Sequence, residues 1–263
     1  MNILIIGDIV GRPGRQAVEA LYPRIKEEYG IDFFIANGEN AAAGSGITAK
    51  IADELFSLGV DVLTMGDHVW DQKEIYNYMQ GHENLLRPLN YPRNVPGKGS
   101  VITASKNGYK VGVVNVVGQV FMKSIDSPFN VIKEEIACLS KETPIIIVDV
   151  HAEATSEKNA MAWYIDGTVS ALVGTHTHIQ TADEQILPKG MAFITDLGMT
   201  GPYRSVLGRD IESVLKRFTT QMPVRFGVAS EDVKLCGVVV TVDELSGKAT
   251  NIERIAISMN NDG

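Results

Sequence analysis

The chain reads as an α/β protein in which a mixed pair of sheets is covered by helices. Two observations lead there. Short apolar runs alternate with amphipathic helical patterns from residue 2 to residue 79, a βαβ rhythm that implies parallel strands. Near the other end, residues 234–242 and 249–258 carry a hairpin pattern, which implies antiparallel ones. With 263 residues, 44% apolar and 21% charged, the chain can bury a large core without covalent staples. No internal repeat or low-complexity tract interrupts it, and a single domain is expected over 1–263.

Each element follows from its local pattern. Residues 2–6 (NILII) are an apolar strand that stops at Gly7-Asp8. Residues 14–29 carry helical spacing through Val18, Leu21, Ile25 and Tyr29, with Gly30 as the stop. Residues 31–36 (IDFFIA) form a second strand, ending at Asn37-Gly38-Glu39-Asn40. Thr48 is the expected N-cap of a helix over 48–58 that runs to Gly59. A third strand, 60–64, leads to Gly66-Asp67-His68, and a helix over 71–79 follows. The stretch 86–99 holds Pro88, Pro92 and Pro96 and reads as a functional loop or an insertion. Strands are expected at 109–116, 144–150, 170–174 and 190–195, and helices at 130–140, 155–163 and 209–219.

Composition narrows the function classes. Cys138 and Cys236 fall in no CxxC or Cys/His spacing, so a zinc-thiolate site is disfavoured and both read as buried, reduced thiols. The opening MNILIIGDIV is broken too early by Gly7 and Asp8 for a signal peptide, and no run approaches a membrane span. A cytoplasmic location is expected. The formal charge is −8 and Lys and Arg are scattered singly, which disfavours tight generic nucleic-acid binding. A small anionic substrate stays open, because metal ions can supply local positive charge.

The informative fact is where polar residues fall. In open α/β sheets, ligands bind beyond the carboxyl ends of strands. Asp8, Glu39, Asp67, His68 and His151 each follow an apolar strand run, and His176 and His178 follow 170–174. Of the five histidines, only His82 lies outside this set, at a helix end. Taken singly, Asp8 could cap a helix, Glu39-Asn40 could be turn residues, and His68 and His151 could be core histidines. In an extended segment, however, His176 and His178 would point to one side. Clustered carboxylates would also repel one another without cations. Asp8, Glu39, Asp67, His151, His176 and His178 are too many ligands for one three-ligand catalytic ion. They suit two ions about 3.5–4 Å apart and bridged by a carboxylate. The mixed N/O set suits Fe, Mn, Zn or Co.

The motifs GDIVGRPGR, NGEN, GDHVWD, VDVHAEATSEK and GTHTHIQTAD occur in that order, followed by ITDLGMTGPYRSVLG. In these the chain resembles the metallophosphoesterase (calcineurin-like) superfamily and, more narrowly, the YmdB-type bacterial phosphodiesterase family. The resemblance implies a four-layer α/β/β/α sandwich. It implies hydrolysis of small phosphodiesters, such as 2′,3′- or 3′,5′-cyclic nucleotides, by a metal-bridging hydroxide. Asp8 and His178 would hold one metal, Asp67, His151 and His176 the second, and Glu39 would bridge them. Asn40 would bind an ion or support a residue that does, and His68 would meet the phosphate as proton donor or charge stabiliser. Two divalent or transition-metal ions per chain are expected, with Fe or Mn favoured over Zn or Co, and so is a homo-oligomer.

Two positions depart from the pattern. Val10 stands where the superfamily often has histidine, a loss the YmdB-type family shares. Asp67 stands where the family motif GNH has asparagine. An aspartate should hold a cation more strongly, but it cannot donate to a phosphate oxygen and it repels an anion. It would favour the competing reading, a metal- and nucleotide-binding regulatory protein with little turnover. A metal-dependent amidohydrolase is the third reading; it would need a carbonyl substrate and usually a different ligand spacing.

Overall fold

The computed structural model describes residues 1–259; the expected domain runs on to Gly263, and 260–263 lie outside the described residues. The first part of the chain forms β1 (Asn2–Ile6), β2 (Asp8–Ile9), α1 (Gly11–Glu28), β3 (Ile31–Asn37), α2 (Ala49–Ser57), β4 (Val62–Thr64), α3 (Ile75–Tyr78) and β5 (Leu85–Leu86). Then come β6 (Ser100–Ala104), β7 (Lys110–Val117), α4 (Pro128–Leu139), β8 (Ile146–His151), α5 (Thr155–Ile165), β9 (Ala171–Thr175), β10 (Gln185–Ile186) and β11 (Ala192–Ile194). The last elements are β12 (Met199–Pro202), α6 (Ile211–Thr220), β13 (Val233–Val242) and β14 (Ala249–Ser258).

The strands sort into two sheets. One has the order β2-β12-β13-β1-β3-β4-β5, with β14 also paired to β13; the other has the order β10-β11-β9-β8-β7-β6. In the first, β1, β3, β4 and β5 are parallel, while β13 runs antiparallel to β1 and to β14. In the second, β7, β8, β9 and β11 are parallel, with antiparallel edges β6 and β10. Both sheets are therefore mixed.

Strand alternation builds the layers. Ile3, Ile5, Phe33 and Ile35 point toward the second sheet and share a core with Val111, Val113 and Ile147. Their neighbours Leu4, Ile6, Phe34 and Ala36 point the other way, onto Val18, Tyr22 and Ile25 of α1 and Leu55 of α2. On the far side, Ile146 and Val148 pack with Ile132 and Ile136 of α4 and Met161 and Ile165 of α5. The order of layers is α/β/β/α, as the resemblance implies.

Several elements differ from their sequence reading for local reasons. Helix α1 begins at Gly11 rather than 14, because Pro13 lies in the first turn, where no intrahelical N–H is required. Helix α3 shrinks from 71–79 to four residues. Asp71 is taken up by His68 and Ser45, and the Glu74 carboxylate accepts from Ala49 N–H at 2.9 Å. Strands β2, β5, β6, β10 and β12 escape the sequence reading; all but β6 are only two to four residues long and too short to show a period. Cys236 is buried as expected, but Cys138 is exposed on α4, whose apolar stripe faces the sheet through Ile132, Ile136 and Leu139 instead. Among the described residues no helix is long and apolar enough to cross a membrane.

Phe34 is fully buried and stacks on Tyr22 with ring centroids 4.4 Å apart. Phe34→Ala is expected to lower the unfolding free energy by about 3–5 kcal/mol, the usual cost of emptying such a site. Urea denaturation measures this; a loss below about 1 kcal/mol would show that α1 collapses freely onto the sheet.

Candidate metal centre

The carboxyl ends of β1, β3 and β4 from one sheet meet those of β8 and β9 from the other, and each delivers polar side chains to the same place. Asp8 lies in β2, where it pairs with Met199 of β12. It does not cap α1, whose N-cap is Val10 without a side-chain bond. Glu39 and Asn40 follow β3, Asp67 and His68 follow β4, His151 ends β8, and His176 and His178 lie just past β9. His82 is elsewhere, stacked on Tyr78 and bonded to its carbonyl.

The side chains fall into two groups that share Glu39. In one, His151 Nε2 is 3.0 Å from Glu39 Oε1 and 3.5 Å from Asp67 Oδ1, and His176 Nδ1 is 3.0 Å from His151 Nε2. Glu39, Asp67, His151 and His176 each place a ligand atom within 4.8 Å of the others. In the second group, Asn40 Nδ2 lies 3.4 Å from Asp8 Oδ1, 3.2 Å from Glu39 Oε1 and 3.2 Å from His178 Nε2. Gly66 passes directly behind Glu39 and His151, since a Cβ there would collide with Glu39 Oε2 and His151 Nε2.

His176 and His178 do not come together by extended geometry. Both have left-handed backbones, φ 99° and 67°, and the chain kinks at each. One imidazole reaches the His151 group, while the other reaches Asp8 and Asn40. Such conformations cost about 1–3 kcal/mol each in non-glycine residues and persist only where surroundings enforce them. Here His176 N–H donates to Asp8 (3.1 Å) and Thr177 N–H to Asp196 (3.2 Å). Asp196 is in turn paired with Lys158 at 2.6 Å, and neither side chain is more than 1% exposed.

Sequence reasoning missed this pair and the groups beneath His151. The Thr175 hydroxyl donates to Asp149 Oδ1 (2.8 Å), which leaves its oxygen to accept from His151 Nδ1–H at 2.9 Å. That chain turns Nε2 toward Glu39. Asp149 lies two residues before His151, on the same face of β8, and Asp196 lies just past β11. The alternation and strand-end rules, applied once more, would have found both.

Electrostatics favour a cation here. Burial opposes ionisation of Glu39 and of Asp67, but His151 and its neighbours outweigh it and hold both carboxyls below the usual range. Burial likewise opposes a charged His151, yet Glu39, Asp67 and Asp8 raise it well above an ordinary histidine. Burial and the charge on His151 lower His176. A proton on His151 Nε2 and a metal cation would answer the same carboxylates, so a cation held there would take the place of the proton. Asp67 Oδ1 is buried with no hydrogen-bond partner, which is costly unless a cation meets it. Carboxylates, imidazoles and an amide, with no thiolate, fit hard to borderline divalent ions.

A two-sheet α/β/β/α sandwich with this donor set at its strand ends defines a hydrolase of the phosphoesterase class. The chain belongs to the YmdB-like protein family, whose model matches residues 4–255. It is 52% identical over 258 residues to the 2′,3′-cyclic-nucleotide 2′-phosphodiesterase of Bacillus subtilis (strain 168), covering 98% of this chain and 97% of that one. Among solved structures, a hypothetical protein from Thermus thermophilus superposes with a TM-score of 0.91 at 39% identity, over 98% of this chain and 99% of that one. A novel phosphatase from Mycoplasma pneumoniae also superposes at 0.91, with 35% identity over 98% and 93% of the two chains.

Asp196→Ala would strand the Lys158 ammonium in the core and free the Thr177 amide. The expected loss is about 3–5 kcal/mol in denaturant unfolding. The double variant Lys158→Met, Asp196→Leu should recover most of that stability while still binding Mn²⁺ more weakly in calorimetry, because the turn stays unheld. Full recovery of both would show that the pair serves stability alone.

Proposed function

We propose that the chain is a dinuclear metal-dependent phosphodiesterase that hydrolyses 2′,3′-cyclic nucleotides and other small diesters, 3′,5′-cyclic nucleotides among them. The observation that carries this is the double membership of Glu39. Its Oε1 lies 3.0 Å from His151 Nε2 and 3.2 Å from Asn40 Nδ2, within reach of both groups, so the one carboxylate could serve a cation in each. Asp67, His151 and His176 would hold one ion, and Asp8 and His178 the other, with Asn40 beside them. Bound there, the ions would act as Lewis acids on the phosphoryl oxygens and make water nucleophilic near neutral pH. The name of the Bacillus relative supports the substrate class.

His68 has a different part. Its backbone N–H donates to Glu39 Oε2 at 3.2 Å, and its ring turns outward, with Nδ1 2.7 Å from Asp71 Oδ2. The Ser45 hydroxyl also donates to Asp71. This holds one proton on Nδ1 on the Asp71 side; as the imidazolium, the ring would give its Nε2 proton to the leaving alkoxide and end as the neutral Nδ1–H form.

The reading is tested by removing metal with a chelator, restoring Mn²⁺ or Fe²⁺, and assaying 2′,3′- and 3′,5′-cyclic AMP. Two ions per chain and metal-dependent hydrolysis are expected. One ion or none in metal-replete protein, or no turnover of either diester, would overturn it. His68→Ala should keep both ions and lose about 10²–10⁴ in rate on cyclic AMP. The loss should shrink on a nitrophenyl diester, whose leaving group needs little protonation; an equal loss on both would make His68 an electrostatic group rather than an acid.

Asp67 works against turnover. Two divalent ions would bring four positive charges against three negative ones from Asp8, Glu39 and Asp67, and an asparagine at 67 would leave one more positive charge for the phosphodiester. It would also restore a donor to the phosphoryl group, a contact worth about 10²–10³ in rate. Asp67→Asn is therefore expected to raise kcat at saturating metal, with metal content checked. Equal or lower activity would show that aspartate is a competent ligand here.

A further inference from the structure

The loop between β7 and α4 lies beside the candidate centre and is built, not slack. The Glu157 carboxylate accepts from Gln119 N–H at 2.9 Å and from Val120 N–H at 3.2 Å. The Gln119 amide donates to Ile125 O at 2.6 Å, and the Asn90 amide donates to Asp126 O at 2.8 Å. Both ends are thus pinned, and the tip between them projects. From that tip Lys123 reaches back to the centre, where its ammonium donates to the carbonyl oxygen of Asp67 at 2.7 Å. Two of its three N–H groups are left for another acceptor. Two residues earlier, Phe121 is 89% exposed and has a left-handed backbone, φ 63°.

Folding does not account for either residue. A phenylalanine in the left-handed region is strained, and this one buries almost nothing to offset the strain. A lysine that commits one donor to a surface carbonyl gains little. Both make sense toward a third party, an anion carrying a flat ring at the centre. Resting on the phosphodiesterase reading above, we propose that residues 119–126 are the substrate-selecting loop. Lys123 meets the phosphodiester, and Phe121 stacks on the base of a nucleotide. Lys123 also returns, next to Asp67, the positive charge that the aspartate takes from the centre. Base stacking on an aromatic ring is indifferent to base identity, so the loop selects nucleotides over simple diesters without choosing among bases.

The test compares 2′,3′-cyclic AMP with glycerol 1,2-cyclic phosphate, which keeps the five-membered diester and lacks the base. Phe121→Ala should raise KM for cyclic AMP by about tenfold, leave kcat near wild type, and leave the glycerol diester unchanged. Calorimetry on the metal-loaded protein should show 3′-AMP weakened by a similar factor and inorganic phosphate unaffected. Lys123→Met should raise KM for both diesters, and Lys123→Arg should restore it. An equal effect of Phe121→Ala on both diesters, or none on either, would overturn the stacking role; an unchanged KM in Lys123→Met would overturn the phosphate contact. If wild type hydrolyses the glycerol diester but not cyclic AMP, the nucleotide reading falls and the platform with it. If wild type hydrolyses neither, the phosphodiesterase reading itself has failed.

Discussion

The carboxylate of Asp149 is buried between the two sheets and bonded to both. Oδ2 accepts from the Thr64 hydroxyl of β4 at 2.5 Å and the Asn37 amide of β3 at 3.2 Å, and Oδ1 accepts from Thr175 of β9 at 2.8 Å. Burial pushes its pKa up to about 6, against the pull of His151 and these donors. A buried carboxylate is tolerable only when its lone pairs are met, so it fixes how β3 and β4 sit over β8 and β9. The same Asn37 accepts Glu39 N–H at 3.1 Å, and the same Thr175 accepts from His151. Asn115 of β7 adds a second tie across the sheets through Met65 N–H at 3.2 Å. A core of Ile and Val alone would let the sheets slide against each other. The polar contacts set one position, and in that position donors from both sheets converge.

Convergence carries a local cost, which the surroundings absorb. Donors packed this closely leave no room for a side chain at Gly66, and two histidines must adopt left-handed backbones. Stability alone does not explain the buried Lys158–Asp196 pair, since apolar residues could fill the same volume at equal or lower cost. Its value lies in the carboxylate oxygen it presents to Thr177 N–H, between the two histidines. Strain at the site and a charged pair behind it are two parts of one arrangement.

How much of this could be read from sequence depends on element length. Long elements with a clear period, α1, β3, α4, β13 and β14, came out within a few residues. The two-residue β2 and four-residue β12 have no period to read, yet their pairing is what holds Asp8 in place. Most candidate residues were legible because strands end in small or polar residues and the strand-end rule needs only that. His176 and His178 reach the cluster by another geometry than expected: spacing of two suggested an extended strand, whereas two left-handed kinks aim the rings at different groups. Asp149 and Asp196 lie where the alternation and strand-end rules reach, whereas Lys158, in the mixed-polarity helix α5, declares itself as buried only through its partner far along the chain. Lys123 and Phe121 sit in a loop whose composition is unremarkable, and only folding brings one of them to Asp67.

Charge shows the same division between local and global. A formal −8 chain ought to repel an anionic phosphodiester, and at distances beyond about 10 Å salt screens most of that repulsion. What remains is decided within a few ångströms of the phosphorus. There the carboxylates of Asp8, Glu39 and Asp67 are themselves the reason cations gather, so the acidity of the site is the condition for its affinity for anions. The balance is narrow, because each carboxylate that helps to hold a cation also subtracts from the field the substrate meets. An aspartate at 67 moves that balance toward holding the metal, and the ammonium of Lys123, set 2.7 Å from the same residue's carbonyl, moves it back toward the substrate.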